Sequence, residues 1–209
     1  MKVLELFKGS GSITNYYSDS DVEVISLDIL EKYNPTICSD IMTFNYKQFD
    51  IGYFDIIWAS PECKIFSQLQ CTNIGRKWKD KEHLQTEREK NKIFINKTIE
   101  IIDYLKPTYY FIENPLHSKI WDFIENKNYI ENCVIVDYCY FGYNYKKPTK
   151  ILTNKNLENK RCSCKKHTMR LGINGKNLQN GLTDDMIPDN TTLNQRYSIP
   201  QKLLEYLLN

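Results

Sequence analysis

A cysteine and a glutamate lie at the ends of two apolar runs, and these two residues offer the clearest chemistry in the sequence. Cys63 follows the run "FDIIWAS" after only Pro61 and Glu62, and Glu113 lies within "YYFIENP". Neighbouring parallel strands release their carboxyl ends at the same edge of a sheet, so the thiol and the carboxyl group are expected to converge there. For either residue taken alone, a strand that simply ends in a turn is the alternative.

A thiol beside a carboxylic acid suits attack on an electron-poor ring. A Cys63 thiolate could add to C6 of a pyrimidine while protonated Glu113 bonds the ring N3, and C5 would then become nucleophilic enough to take a methyl group. Loss of the C5 proton releases the enzyme. Because an unperturbed cysteine is mostly protonated at neutral pH, the thiolate needs local help, which Lys64 and the backbone N–H groups of the following loop could supply.

The first two apolar runs indicate a nucleoside site. "VLELF" is followed by "KGSGS", in which Gly9 and Gly11 let the backbone pass close to a ligand. Asp28 ends the run "VISLDI", where a carboxylate accepts hydrogen bonds from ribose hydroxyls. The third glycine of a dinucleotide fingerprint is replaced by Thr14, which favours a cofactor without phosphate, and S-adenosylmethionine is the obvious candidate. An ordinary glycine-rich turn is the alternative.

These residues must be positioned by an alternation of strands and helices. Short apolar runs separated by helix-length segments predict a doubly wound α/β sheet that binds ligands at the carboxyl ends of its strands. Helices are predicted from Ser12 onward, in "FINKTIEIIDYLK" and in "IPQKLLEYLL". The predicted strands are "VLELF", "VEVISLDI", "FDIIWAS", "YYFIENP", "NCVIVDYCYFG" and "TKILTN", the last two paired antiparallel. The tyrosines between positions 138 and 145 are interpreted as strand packing.

Length and composition set the class of the protein. With 209 residues and 41% apolar residues, the chain can fold as one globular domain. No run of eighteen apolar residues is present, and "MKVLELF" lacks the features of a secretory signal. The sequence therefore predicts a soluble, intracellular protein of the cytoplasm or nucleus, without a membrane partner.

Charge and cysteine content leave two alternatives open. The net charge is +2, but basic residues cluster between positions 76 and 81 and between positions 146 and 170, which suits either a phosphate-facing surface or a solvated face. Seven cysteines without a secretion signal predict reduced thiols. Cys162, Cys164 and His167 could ligate zinc, but a fourth ligand is not evident, and no metal is predicted.

Taken together, these motifs resemble the cytosine-5 DNA methyltransferases, over most of the chain from Val3 to Lys150 and again near the C-terminus. "ASPECKIFS" is similar to the Pro-Pro-Cys nucleophile motif of that family, and "FIENP" is similar to its Glu-Asn motif. The resemblance implies a class I S-adenosylmethionine-dependent methyltransferase with a Rossmann-like sheet. It also implies one catalytic domain over residues 1–209, with a polar, loop-rich insertion at about 155–194 and no large target-recognition domain, as in phage-like and virus-like members.

The resemblance also implies a role for each matched residue. Cys63 is the nucleophile, Glu113 bonds the base, and Lys150 falls where the last arginine of the family's Gln-x-Arg-x-Arg element contacts the cytosine O2. Asn114 braces the nucleophile loop, and Lys147 is the nearest match to the preceding basic position. The implied cofactor contacts are Phe7, Gly9, Gly11, Asp28, Ile29, Asp40 and Pro61.

Two residues depart from the family pattern. Glu62 replaces the second proline before the nucleophile, and its carboxylate would raise the pKa of Cys63 unless it points away. At position 150 a lysine keeps the charge of the family's arginine but loses its planar fork.

The sequence therefore predicts a DNA (cytosine-5-)-methyltransferase that converts S-adenosylmethionine to S-adenosylhomocysteine. The methyl group goes to C5 of a flipped cytosine through a covalent cysteine adduct. DNA is the expected partner, and no obligate protein partner is predicted. Two alternatives remain open: an RNA cytosine-5 methyltransferase, and a weakly active or inactive relative that binds nucleic acid or cofactor.

Overall fold

The computed structural model describes residues 1–143, 146–163 and 197–209. These residues form one seven-stranded sheet with the order β3-β2-β1-β4-β5-β7-β6. The first five strands are parallel, and β7 runs antiparallel to β5 and β6. The strands are β1 (Lys2–Leu6), β2 (Glu23–Asp28), β3 (Ile37–Cys38), β4 (Ile56–Ala59), β5 (Tyr109–Pro115), β6 (Cys133–Asp137) and β7 (Pro148–Thr153).

The register of the central strands brings their carboxyl ends to one edge. Leu6 at the end of β1 lies opposite Leu27 of β2 and Ala59 of β4, and Ala59 lies opposite Ile112 of β5. The strand order changes direction between β1 and β4, where doubly wound sheets bind their ligands. Both predicted chemical segments, after β1 and after β4, therefore begin at this edge.

Four helices cover the two faces of the described sheet. They are α1 (Ser12–Tyr16), α2 (Lys81–Leu105), α3 (Lys127–Glu131) and α4 (Gln201–Leu208). Apolar residues spaced along α2 are buried on one face, among them Ile95, Ile102 and Leu105. On the other face α1 and α4 bury Ile13 and Leu203 against β1 and β4. Each helix thus presents one apolar side to the sheet.

The ends of α2 have clear local causes. The Asp80 side chain accepts a hydrogen bond from the His83 N–H at 2.7 Å, which caps the first turn. At the other end Lys106 is left-handed, with φ of 47°, and its N–H bonds the Ile102 carbonyl at 2.9 Å. Pro107 then prevents the helix from continuing.

The predicted fold is confirmed in its main features. All six predicted strands and the three predicted helices are present, and β6 and β7 pair antiparallel. The strand predicted over "NCVIVDYCYFG" is shorter than expected, because β6 ends at Asp137 and Tyr138–Phe141 form a short 3-10 helix instead of a strand. The two-residue strand β3 was not predicted, and α2 begins well before its predicted apolar stretch. None of the helices in the described part of the chain is long and apolar enough to span a membrane. The predicted single domain with its insertion stays a prediction, because residues 164–196 lie outside the described ranges.

The cysteines divide into two groups. Those described as free thiols, as predicted, are Cys38, Cys63, Cys71, Cys133 and Cys139. Cys162 is disulfide-bonded, which corrects the expectation of a reduced thiol at this position. The other two residues considered for zinc, Cys164 and His167, lie outside the described residues. Within the described ranges no cluster of His, Cys, Asp and Glu could hold a metal ion.

Candidate active site

The loop that carries Cys63, residues 61–67, is fixed at both ends of the thiol. On one side the Asn114 side chain donates from Nδ2 to the Pro61 carbonyl at 2.8 Å. On the other side Gln70 Nε2 donates to the Lys64 carbonyl at 2.9 Å. Since Asn114 and Gln70 are both buried, these bonds exchange little with water and hold the loop in one conformation.

A buried arginine from α2 holds the remainder of the loop. Arg88 is only 6% exposed, and its guanidinium donates from Nε to the Ile65 carbonyl at 3.2 Å and from Nη2 to the Ser67 carbonyl at 3.0 Å. Burying a cation is costly unless its N–H groups are paired. The loop and the first half of α2 therefore depend on each other.

The electrostatic surroundings of Cys63 favour the neutral thiol. Burial raises the pKa of Cys63, and the negative charge of Glu113 raises it further. The Lys147 ammonium acts in the opposite direction and lowers this pKa. Glu62 adds a smaller increase to the pKa, and its side chain is exposed to solvent. The departure from the family motif therefore has less effect on the thiol than Glu113 has.

The last residue of β4, Ala59, lies opposite Ile112 of β5. Glu113 is the next residue of β5 and therefore lies just past the end of β4. The residue is buried, with 7% of its surface exposed. The Tyr138 hydroxyl donates to Glu113 Oε1 at 3.2 Å, and Lys147 Nζ lies 3.7 Å from the same oxygen. Glu113, Tyr138, Lys147 and Cys63 thus form one cluster at the carboxyl edge of the sheet.

Lys150 is not brought to this cluster. In the antiparallel pairing of β5 and β7, Ile151 lies opposite Glu113, whereas Lys150 lies opposite Asn114. Because side chains alternate between the two faces of a strand, the Lys150 side chain is on the face opposite to Glu113. Its Nζ lies 5.4 Å from the centre of the Trp121 ring, in a separate groove of about 340 Å³. The basic residue beside Glu113 is therefore Lys147, and the role predicted for Lys150 has no geometric support.

The predicted nucleoside site is organised by Asp28. Its Oδ2 accepts the Gly9 N–H and its Oδ1 accepts the Leu30 N–H, both at 2.9 Å. Each carboxylate oxygen retains capacity for a further hydrogen bond from a ligand hydroxyl. Gly9 and Gly11 have positive φ angles of 49° and 69°, which bring the turn back over the end of β1. Phe7 also has a positive φ, of 58°, an uncommon conformation for a residue with a side chain.

Apolar side chains border the same carboxylates. Ile29 directly follows Asp28 and is 61% exposed, although it is apolar. Asp40 accepts the N–H of Met42 at 2.9 Å, and Met42 is also exposed. The backbone links the two acids, because the Ser39 N–H bonds the Asp28 carbonyl at 3.0 Å. Exposed apolar surface beside carboxylates fits a nucleoside, whose ring needs apolar contacts and whose sugar hydroxyls need acceptors.

Thr14, which replaces the third glycine, has a structural role. Its backbone N–H and its hydroxyl both donate to the carboxylate of Glu5, which also accepts the Ile13 N–H at 3.0 Å. Glu5 is buried in β1, and burial raises its pKa while these hydrogen bonds oppose the increase. The glycine turn is thus tied to β1 through an acid that sequence reasoning did not single out.

Comparison with known proteins identifies the family. No family model matches the chain. A protein of Frog virus 3 (isolate Goorha), named a probable DNA (cytosine-5)-methyltransferase, is 31% identical over 160 residues, which cover 74% of this chain and 71% of the viral protein. The chain belongs to the DNA (cytosine-5)-methyltransferase family.

Solved structures of methyltransferases have the same fold as this chain. The Entamoeba histolytica methyltransferase EhMeth aligns with a TM-score of 0.53 and 16% identity, over 77% of this chain and 56% of that one. The S. pombe Dnmt2 methyltransferase aligns with a TM-score of 0.50 and 17% identity, over 76% of this chain and 52% of that one. The predicted methyltransferase fold is thereby confirmed, and this chain spans about half the length of both structures.

In this methyltransferase the sequence motifs pointed to Cys63, to Glu113 and to Asn114, which bonds the nucleophile loop, but not to the other residues that hold the loop and the acid. Arg88 and Tyr138 carry no local signal, because their partners lie 21 to 25 residues away along the chain. Lys147 was indicated as the nearest match to the preceding basic position of the family's Gln-x-Arg-x-Arg element. The catalytic and cofactor-binding roles of the predicted residues stay predictions.

Proposed function

We propose that this protein transfers a methyl group from S-adenosylmethionine to C5 of cytosine in DNA, through a covalent adduct with Cys63. The observation that carries the proposal is the cluster of Cys63 and Glu113 at one sheet edge. There Glu113 is close enough for its charge to raise the pKa of the thiol. Family membership supports the same reaction.

The residues around Asp28 fit the proposed cofactor. Asp28 would accept hydrogen bonds from the ribose hydroxyls, Ile29 would contact the adenine ring, and Gly9 and Gly11 would leave room for the methionine part. When bound, S-adenosylmethionine supplies an electrophilic methyl group. Phe7, Asp40 and Pro61 complete the proposed contact set.

In the first chemical step Cys63 Sγ forms a bond to C6 of the cytosine. The π electrons of the C5–C6 bond shift through C4 to N3, which takes a proton from Glu113. A protonated Glu113 carries no negative charge, so the influence that raises the pKa of Cys63 disappears when the acid is ready to act. Preparing the acid therefore also favours the thiolate.

In the second step the chain releases its product. After C5 has taken up the methyl group, a solvent water molecule takes the C5 proton, the C5–H electrons restore the C5–C6 double bond, and the Sγ–C6 bond breaks to return Cys63 as thiolate. The N3 proton returns to Glu113. The target atom is not accessible within a duplex, so the cytosine must leave the base stack to reach this cluster.

An exposed basic segment beside the nucleophile loop fits a DNA backbone. Its cationic side chains are Arg76, Lys77, Lys79 and Lys81, all of which are exposed. The segment is anchored by Trp78, which is buried and donates from Nε1 to Gln70 Oε1 at 3.0 Å. Gln70 in turn holds the Lys64 carbonyl. Phosphate contacts here would position the nucleophile loop on the strand, without reading its sequence.

Methyl transfer to matched DNA and RNA oligonucleotides tests the function directly. Purified protein is incubated with methyl-labelled S-adenosylmethionine, and 5-methylcytosine is measured after digestion to nucleosides. We expect product on cytosine-containing DNA and none with Cys63→Ala, which should still bind the cofactor. Product on RNA alone would contradict the proposed substrate, and binding of cofactor without product on either nucleic acid would contradict the proposed activity.

A further inference from the structure

Tyr138 places a hydroxyl against the carboxyl group that is proposed to protonate the base. Its side chain is fully buried at the start of the short turn Tyr138–Phe141, and its hydroxyl donates to Glu113 Oε1 at 3.2 Å. A buried phenol hydroxyl needs a hydrogen-bond partner. Here that partner is a carboxylate oxygen of the proposed acid.

Contacts on several sides prevent the phenol from rotating away. The Tyr138 backbone N–H bonds the Lys147 carbonyl at 3.2 Å, and its ring stands perpendicular to the Tyr143 ring with 5.5 Å between centres. The preceding residue, Asp137, is buried and accepts hydrogen bonds from Arg161 Nε at 3.0 Å and from the Cys162 N–H at 2.8 Å. Tyr138 is therefore a rigid donor.

The two oxygens of Glu113 have different surroundings. Tyr138 and Lys147 both approach Oε1, at 3.2 and 3.7 Å. Within the described ranges no side chain or N–H group donates to Oε2. The fully buried side-chain oxygens that lack a partner there are Asn114 Oδ1 and Asp137 Oδ1, so Oε2, which also lacks one, is not fully buried. It is therefore open to a ligand. An oxygen that accepts from a hydroxyl and faces an ammonium is a poor site for a proton.

We propose that Tyr138 is a positioning residue that directs the transferable proton of Glu113 to Oε2, the oxygen open to the base. The inference rests on the proposed function. With its hydroxyl on Oε1, Tyr138 fixes both the plane of the carboxyl group and the oxygen that carries the proton. Without it the carboxyl group can rotate and present the unprotonated oxygen to N3, where it repels the lone pair of the ring nitrogen.

The test removes one oxygen atom. Tyr138→Phe keeps the ring and its packing, and we expect the kcat for methylation of a cytosine-containing duplex to fall by roughly tenfold. The KM for DNA and the Kd for S-adenosylmethionine should stay unchanged. The matched control is Tyr129→Phe, which removes a buried hydroxyl that donates to Asp103 Oδ1 at 2.7 Å, away from the site, and should keep kcat.

A second measurement separates positioning from general stability. If Tyr138 acts through Glu113, then Tyr138→Phe should have no further effect on the residual rate of Glu113→Gln. Release of the C5 hydrogen from tritiated cytosine, which follows addition at C6, should slow in the same proportion as methylation in Tyr138→Phe.

Three results would overturn the inference. The first is an unchanged kcat in Tyr138→Phe. The second is a lower kcat that is accompanied by lost cofactor binding or by unfolding. The third is a rate for the double variant Tyr138→Phe/Glu113→Gln that is lower than that of Glu113→Gln alone. A native protein that methylates no nucleic acid contradicts the proposed function and this role together. A native protein that methylates DNA at the same rate as Tyr138→Phe contradicts the inference alone.

Discussion

At the scale of single residues, Glu113 influences Cys63 in two opposite ways. Burial raises the pKa of the thiol most, and Glu113 as a carboxylate raises it further. In the proposed reaction it acts as a neutral acid toward N3 of the base, and in that form it no longer raises this pKa. Protonation of Glu113 would therefore remove one of the two main influences that disfavour the thiolate, while burial remains.

Glu113→Gln should therefore change thiol reactivity and catalysis in opposite directions. The neutral amide lowers the pKa of Cys63, so alkylation of Cys63 by iodoacetamide, followed by peptide mass analysis, should become faster at neutral pH. Methylation should fall by about a hundredfold or more, because the proton donor is lost. Glu89→Gln, on the exposed side of α2, is the control. Slower alkylation in Glu113→Gln would contradict this account of the thiol.

Lys147→Met should have the reverse effect on the thiol. The Lys147 ammonium lowers the pKa of Cys63, so its removal raises that pKa and moves the rising limb of the alkylation profile to higher pH. Thiolate is present above the pKa and lost below it. At neutral pH the variant should therefore be alkylated more slowly than the native protein. Lys150→Met, on the other face of the sheet, should leave the profile in place. A shift with Lys150→Met instead would contradict the placement of Lys150 away from Cys63.

At the scale of elements, the nucleophile loop depends on α2 through Arg88. Removing the guanidinium leaves the carbonyls of the half-buried Ile65 and Ser67 without their donors, at a cost of at most about 1–3 kcal/mol for each. Such a loss should loosen the loop that carries the thiol. Loop position should therefore matter more for turnover than for cofactor binding.

Arg88→Met should lower kcat by about a hundredfold, because a small displacement of the nucleophile removes the attack geometry. The Kd for S-adenosylmethionine, measured by calorimetry, should change by less than about twofold, since the proposed cofactor site lies beyond β1 and β2. Lys92→Met, at an exposed ion pair of the same helix, controls for the loss of charge. An unchanged kcat in Arg88→Met would mean that the loop is held by its other bonds.

Asp28, at the end of β2, should affect cofactor binding and leave the thiol unchanged. Asp28→Ala removes the carboxylate that holds the Gly9 and Leu30 N–H groups and that would bond the ribose. We expect the Kd for S-adenosylmethionine to rise by at least about tenfold. Alkylation of Cys63 in the free protein should be unchanged. Loss of Cys63 reactivity in this variant would show that the two halves of the site are not independent.

At the scale of the whole molecule, the order of strands accounts for the site. The sequence pattern was sufficient to predict strands that end in Asp28 and close to Cys63 and Glu113, because each is an apolar run with a clear stop. Parallel pairing then brings these ends to one edge. The helix α4 and the antiparallel β6–β7 pair were also predictable, from amphipathic spacing and from two adjacent apolar runs.

Features that depend on distant partners were not predictable. Whether Lys147 or Lys150 lies beside Glu113 depends on the register of β7 against β5, and a shift of one residue exchanges the two faces. The two-residue strand β3 is too short to carry a pattern. The bonds from Arg88 to the nucleophile loop depend on the path of α2 past β4, which no local sequence feature records.

The most direct test of the account is covalent trapping. Native protein is mixed with S-adenosylmethionine and a duplex that contains 5-fluorocytosine, whose fluorine cannot leave as the C5 proton does. The product is separated on a denaturing gel, and the attached peptide is identified by mass. We predict a stable protein–DNA adduct through Cys63 that is absent in Cys63→Ala. A protein that binds cofactor and DNA but forms no adduct, or forms one through another cysteine such as Cys71, would contradict the proposed mechanism.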